Sequence, residues 1–172
     1  MPTFAHSAEA GKWQQYFDLK DPMSKDEANP DDKIMLDEIA SRCLARPTLR
    51  TARVIGRSYD RALAGTGITI TQLTLLVTIA KFRPGSIVQL CDWLDIEAST
   101  LSRNLAKLRN AGLIEKAGED RRAQELKLTA EGMRTLRDVY PRWLQVQQGL
   151  EERLGAKKVA TVRHNLKDLR TA

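Results

Sequence analysis

The stretch Ala98-Ser-Thr-Leu-Ser-Arg-Asn-Leu-Ala-Lys-Leu-Arg-Asn-Ala111, closed by Gly112, spells a helix with two chemically different faces. At about 100° per residue, Ala98, Leu101, Leu105 and Leu108 fall on one narrow side. Ser99, Ser102, Arg103, Ala106, Lys107 and Asn110 fall on the other, which holds no carboxylate. The first side is suited to packing on neighbouring helices. The second suits a nucleic-acid groove: small residues let a helix enter, hydroxyls bond phosphates, and an arginine can grip guanine through two bonds. Polar outer faces are common on amphipathic helices, so the flanking sequence has to decide.

Upstream, Thr69-Ile-Thr-Gln72 is a capping box, in which hydroxyl and amide satisfy each other's backbone N–H groups. The helix it opens carries Leu73, Leu76, Val77 and Ala80 as an apolar stripe and ends at Phe82-Arg-Pro84-Gly85. A short helix with Ile87, Leu90, Cys91 and Leu94 follows, and the turn Asp95-Ile-Glu97 leads into the opening stretch. Downstream the period changes. Residues 113–116 and 124–128 have strand patterns joined by 117–123, a hairpin tipped with Asp120, Arg121 and Arg122. Thr129 then caps a long helix to about residue 154, with a kink expected at Pro141. Gly155 breaks it, and residues 157–170 form a last helix with Val159, Val162, Leu166 and Leu169 at heptad-like steps.

Towards the N-terminus, residues 33–64 read as helical, bent or restarted by Pro47, with Asp31 and Asp32 as capping residues. Residues 1–30 form an extension with one short helix near 8–19. The fold class is therefore mainly α with a small β-hairpin wing: a winged helix-turn-helix flanked by long N- and C-terminal dimerisation helices. The expected divisions are an extension (1–30), an N-terminal helix (31–66), the winged domain (67–128) and C-terminal helices (129–172).

A chain of 172 residues with 42% hydrophobic content can bury a core, which argues against wholesale disorder. Its net charge of +6 is uneven: residues 1–40 carry 4 basic and 9 acidic side chains, and the rest carry 24 and 13. An anionic partner would therefore meet the part beyond residue 40. Cys43 and Cys91 make no disulfide framework, and His6 and His164 have no zinc-type company. No apolar run approaches the ~20 residues of a membrane span, and the acidic start lacks a signal peptide's order. A cytoplasmic protein without cofactor or metal is expected. Bulk charge does not locate the binding face, since residues 86–129 hold 7 basic and 7 acidic side chains. Position does: Asp92, Asp95 and Glu97 precede the helix, whereas its outer face and the hairpin tip are basic.

Residues from about 43 to 154 resemble the MarR family of bacterial transcriptional regulators, which are dimeric winged-helix proteins. The resemblance lies in Ser58-Tyr-Asp-Arg-Ala-Leu-Ala64, Gly67-Ile-Thr-Ile-Thr-Gln-Leu73, Ala98-Ser-Thr-Leu-Ser-Arg-Asn-Leu105, the run from Leu108 to Glu115, and Asp120-Arg-Arg122 running into Leu126-Lys-Leu-Thr-Ala-Glu-Gly132. It implies that Ser99, Thr100, Ser102, Arg103 and Lys107 contact double-stranded DNA from the recognition helix. It also implies that Arg122 enters the minor groove from the wing, Asp120 holds that arginine, and Arg121 meets phosphate. Gln72 is read as a cap, not a base reader.

Leu136, Val139, Tyr140, Trp143, Val146, Leu150 and Leu154, with the last helix's stripe, exceed what one small winged domain covers. A homodimer is expected, with its recognition helices roughly 34 Å apart on a pseudo-palindrome. Arg42, Arg46, Arg50, Arg53, Arg57 and Arg61 step by 4, 4, 3, 4 and 4, within about 100° on one ideal helix. Solvation is their plain explanation. By resemblance, Arg46, Arg50 and Arg53 could hold the carboxylate of a small anionic effector while Tyr59 or Trp93 meets its aromatic ring. Cys91 sits on an apolar stripe and reads as core. In peroxide-sensing relatives the reactive cysteine falls, in register, on Ala45 here, so Cys43 is not expected to take that role.

The expected function is a sequence-specific, ligand-released repressor; binding would change the spacing of its recognition helices. A winged-helix module that docks protein is the alternative, and salt distinguishes the two, because DNA binding weakens steeply as counterions accumulate. An enzyme is not expected: no nucleophile–base arrangement or phosphate-cradling glycine loop is visible.

Overall fold

The computed structural model describes residues 29–117 and 125–170. The helix expected near 8–19 and the wing-tip residues Asp120, Arg121 and Arg122 lie outside the described residues. Among those described, the order is α1 (Pro30–Arg42), α2 (Ala45–Ala62), α3 (Ile70–Phe82), α4 (Ile87–Leu94), α5 (Ala98–Asn110), β1 (Ile114–Lys116), β2 (Leu126–Leu128), α6 (Ala130–Leu154) and α7 (Ala156–Asp168). The chain divides into two compact units between Leu49 and Arg50, inside α2.

In the first unit, Asn29 caps α1: its side chain accepts from the Asp31 N–H at 3.2 Å. The cap is thus not Asp31 or Asp32, which occupy the first turn, where the helix dipole favours them. Pro30 stands at the first helical position, where its missing N–H costs nothing. The helical stretch expected over 33–64, bent or restarted at Pro47, is two helices whose break falls earlier, at residues 43–44. Cys43 is extended (φ −66, ψ 113) and ends α1, so Arg42 stands on a different helix from Arg46. Pro47 lies in the first turn of α2, among N–H positions that make no intrahelical bond. No residue of α1 is buried, and Ile34, Met35, Leu36 and Ile39 are all exposed.

In the second unit, Gly65 and Gly67 adopt φ of 82° and 81° and turn the chain out of α2. The capping box then opens α3. Thr69 Oγ1 accepts from the Gln72 N–H at 3.3 Å, and Gln72 Oε1 accepts from the Thr69 N–H at 2.9 Å. Asp60 Oδ1 takes a third donor, the Ile70 N–H, at 2.7 Å. The apolar stripe expected on α3 is displaced: Leu73, Leu75, Leu76 and Ile79 are buried, while Val77 is 43% exposed. The reason is that α3 packs against both β2 and α6, so its covered face is broad.

These leucines join Leu90 of α4, Leu101, Leu105 and Leu108 of α5, Ile114 and Leu126 of the hairpin and Val139 of α6 in one core. Each such side chain contributes about 1.5–3 kcal/mol by leaving water. The strands pair antiparallel with Ile114 opposite Leu128 and Lys116 opposite Leu126, which turns the apolar members of both strands onto the core. Val139 is buried in this core and Leu136 and Trp143 pack half-buried against it, because α6 returns across α3, so less of this surface is left for a partner subunit than expected. Tyr140 and Leu154 remain exposed, as do Val162, Leu166 and Leu169 of α7. The 25-residue α6 continues through Pro141. The carbonyl that loses its donor there belongs to Arg137, an exposed residue that water can serve.

Candidate nucleic-acid interface

The interface begins with the turn that aims α5. Ser86 caps α4, accepting from the Gln89 N–H at 3.1 Å, and Gln89 Oε1 accepts from the Gly85 N–H at 2.8 Å. Asp95 ends α4 in the left-handed region at φ 49°, a conformation an aspartate tolerates better than most side chains. The Ile96 N–H returns to the Cys91 carbonyl at 3.2 Å, and both side chains pack on the core. Cys91 is therefore a packing residue, as its stripe implied.

Along α5, Leu101, Leu105 and Leu108 are 0%, 3% and 1% exposed. Ser99, Thr100, Ser102, Arg103 and Lys107 are all exposed, with Ala106 and Asn110 beside them. Ala98, expected to point inward, is also exposed; the buried side of α5 starts at Leu101. Asn104 is turned back on its own helix, donating to the Thr100 carbonyl at 2.9 Å. Arg109 joins Lys107 in the last turn, where cations favour the negative end of the helix. Gly112, at φ 69°, lets the Leu113 N–H reach the Leu108 carbonyl at 2.9 Å and closes the helix.

The root of the wing follows at once. Lys127 Nζ lies 3.2 Å from Glu115 Oε1 across the two strands, an exposed ion pair. The Ala117 N–H donates to the Glu125 carbonyl at 2.8 Å, which holds the strands together towards the tip. Where β2 gives way to α6, Thr129 Oγ1 accepts from the Gly132 N–H at 3.0 Å. A Cβ at Gly132 would stand 2.1 Å from the Leu113 carbonyl oxygen. The Leu-Thr-Ala-Glu-Gly run thus has a packing cause: only a glycine lets α6 press this closely on the root of the wing.

The arginines considered for an effector and Tyr59 lie on α2, and Trp93 lies on α4. Arg46 lies in the first unit. Arg50, Arg53, Arg57 and Arg61 follow on the part of α2 in the second, Arg50 half-buried and the others exposed. Tyr59 is buried, and its hydroxyl donates to Gln147 Oε1 at 2.8 Å. Gln147 Nε2 donates in turn to Glu151 Oε1 at 2.7 Å, and Arg163 lies 3.6 Å from that same oxygen. Burial pushes the Tyr59 phenol above its ordinary value; Arg163 opposes this and Glu151 adds to it. Trp93 is half open and meets Phe82 edge to face at 6.1 Å between ring centres. The polar chain through Gln147 spans 88 residues of sequence, and no local pattern announces it. The same holds for Arg142, which donates to the Ala64 carbonyl at 2.9 Å and ties α6 to the end of α2.

A helix-turn-helix whose second helix is buried on its leucines and open on its hydroxyls and cations, followed directly by a hairpin, defines a winged-helix DNA-binding protein. The family model for the winged helix DNA-binding domain matches residues 69–132. The M. tuberculosis transcriptional regulator MosR is 30% identical, over 76% of this chain and 97% of that one, with a TM-score of 0.65. A mutant MarR from E. coli, complexed with operator DNA, is 23% identical over 77% of this chain and 96% of its own, with a TM-score of 0.67. An uncharacterized HTH-type transcriptional regulator of Bacillus subtilis, YwoH, is 23% identical over 111 residues, 64% of this chain and 81% of that protein. The chain belongs to the MarR family and is a winged-helix transcriptional regulator. Among the described residues, no helix is long and apolar enough to cross a membrane.

Proposed function

We propose that this regulator is a homodimeric repressor that reads a pseudo-palindromic operator and is released by a small ligand. Ser99, Thr100, Ser102, Arg103 and Lys107 enter the major groove. Arg122 and Arg121, with Asp120 as support, act from the wing. The observation that carries this reading is the division of α5: its leucines are buried, and every α5 residue assigned to DNA is exposed. The dimer is supported by α1, which buries nothing while exposing Ile34, Met35, Leu36 and Ile39, and by the exposed stripe Val162, Leu166 and Leu169 on α7. Ligand release is supported by the arginines of α2, among which Arg50 and Arg53 carry the planar donor pair that suits a carboxylate. Arg46, Tyr59 and Trp93 complete the proposed effector set; the buried Tyr59 would act from behind the surface.

Selection of bound duplexes from a random pool, with sedimentation of the resulting complex, tests the proposal. The expected site has two inverted half-sites about one helical turn apart, bound by two chains. A selected site without inverted symmetry, or a complex holding one chain, contradicts the dimeric reading. Recovery of no preferred sequence contradicts operator recognition itself.

A further inference from the structure

The end of α5 and the start of α6 are interlocked through Thr129. The Gly112 carbonyl, one residue beyond the helix cap, accepts the Thr129 hydroxyl at 2.6 Å. The next carbonyl, that of Leu113, accepts the Thr129 N–H at 3.1 Å. The same hydroxyl oxygen accepts from the Gly132 N–H at 3.0 Å. One side chain therefore caps α6 and grips the residue that ends α5. Gly132 closes the interlock by leaving room for the Leu113 carbonyl. Leu113 carries the connection back into the last turn of α5 through its N–H to the Leu108 carbonyl at 2.9 Å.

A cap on α6 needs only an oxygen that accepts. The bond to Gly112 needs an O–H that donates, and it does nothing for α6. From this second bond we propose that Thr129 is a positioning residue for DNA recognition: its hydroxyl sets the angle of α5 and the wing root against α6. The proposal rests on the reading of α5 as the DNA-reading helix. Any movement of α6 would reach that helix through two adjacent carbonyls, with no flexible segment between.

Three substitutions in the full chain separate the two bonds. Thr129→Ser keeps both. Thr129→Asp still caps α6 but, as an ionised carboxylate, cannot donate to Gly112. Thr129→Val keeps the volume and loses both bonds. Two readouts are needed: the ratio of affinities for the selected operator and a random duplex, and amide exchange at Leu113 without DNA. The ratio removes the uniform penalty of an added negative charge near DNA. Thr129→Ser is expected within about two-fold of the parent in both readouts. Thr129→Asp is expected to keep its melting temperature, lose about ten-fold in the ratio, and exchange about ten-fold faster at Leu113. If Thr129→Val does not fold, Thr129→Asp carries the test alone. Parent-like discrimination and exchange in Thr129→Asp would overturn the proposal, leaving Thr129 a cap only. A Thr129→Ser variant as impaired as Thr129→Asp would overturn it too. Should Arg103→Ala leave the ratio unchanged, it is the DNA reading of α5 that fails. Leu113 exchange then decides the interlock separately.

Discussion

Gly132 and Tyr59 show how single positions hold this fold. A Cβ at residue 132 would meet backbone, the Leu113 carbonyl oxygen at 2.1 Å, which cannot swing aside as a flexible side chain could. Alanine's better helix propensity, about 1 kcal/mol, does not offset such a clash. Gly132→Ala should destabilise the chain by about 2–3 kcal/mol, read as a lower urea midpoint with an unchanged slope. Tyr59 gives a pH signature. Its phenol is raised above the ordinary 10.0, chiefly by burial, so the folded chain holds that proton more tightly than the unfolded chain. The stabilisation is complete below that ordinary value and is lost as pH rises through and above it. Tyr59→Phe should cost about 1–2 kcal/mol near neutrality, since Gln147 loses a donor. The gap between parent and variant should shrink in urea titrations above pH 10.0. A gap that stays constant or widens there would contradict the assignment. Neither effect was legible in sequence: Gly132 stood out as part of a family run without its cause, and Gln147 lies 88 residues from Tyr59.

At the scale of elements, local chemistry was the readable part. The Thr69–Gln72 box, the glycines that end α2 and α5, and the two faces of α5 all depend on residues within one or two turns, so spacing reveals them. What spacing missed depends on the neighbour across the gap. Val77 was assigned to the apolar stripe of α3, yet that helix is covered from two sides and Val77 lies outside both. Leu136, Val139 and Trp143 were counted in the surface expected to exceed one winged domain, yet α6 folds back so that Val139 is buried and the other two pack half-buried on the winged core. The break at Cys43 escaped notice because a single Pro47 fits a bend as well as a restart. The two-faced reading of α5 makes a paired prediction. Leu105→Ala, at a site 3% exposed, should cost about 2–5 kcal/mol of stability. Ser102→Ala, on the exposed side, should change stability by no more than about 0.5 kcal/mol while weakening operator binding. Thermal melts and binding curves on both variants check the pair.

At the scale of the whole molecule, composition pointed towards nucleic acid only faintly, because the winged region is charge-balanced. Arrangement supplied the rest: carboxylates before α5, cations on it, and a hairpin immediately after. The apolar side chains left open on α1 and α7 are the surface that the proposed dimer would cover. The proposed operator recognition depends on the exposed side of α5 touching bases, with Arg103 as its strongest gripping group. The most direct measurement is the affinity of the parent chain and of Arg103→Ala for the selected operator, across a salt series. The parent should bind with a steep inverse salt dependence. Arg103→Ala should lose about 1–3 kcal/mol and relax its preference at one base position per half-site. An Arg103→Ala curve that overlays the parent's at every salt concentration would contradict the central claim.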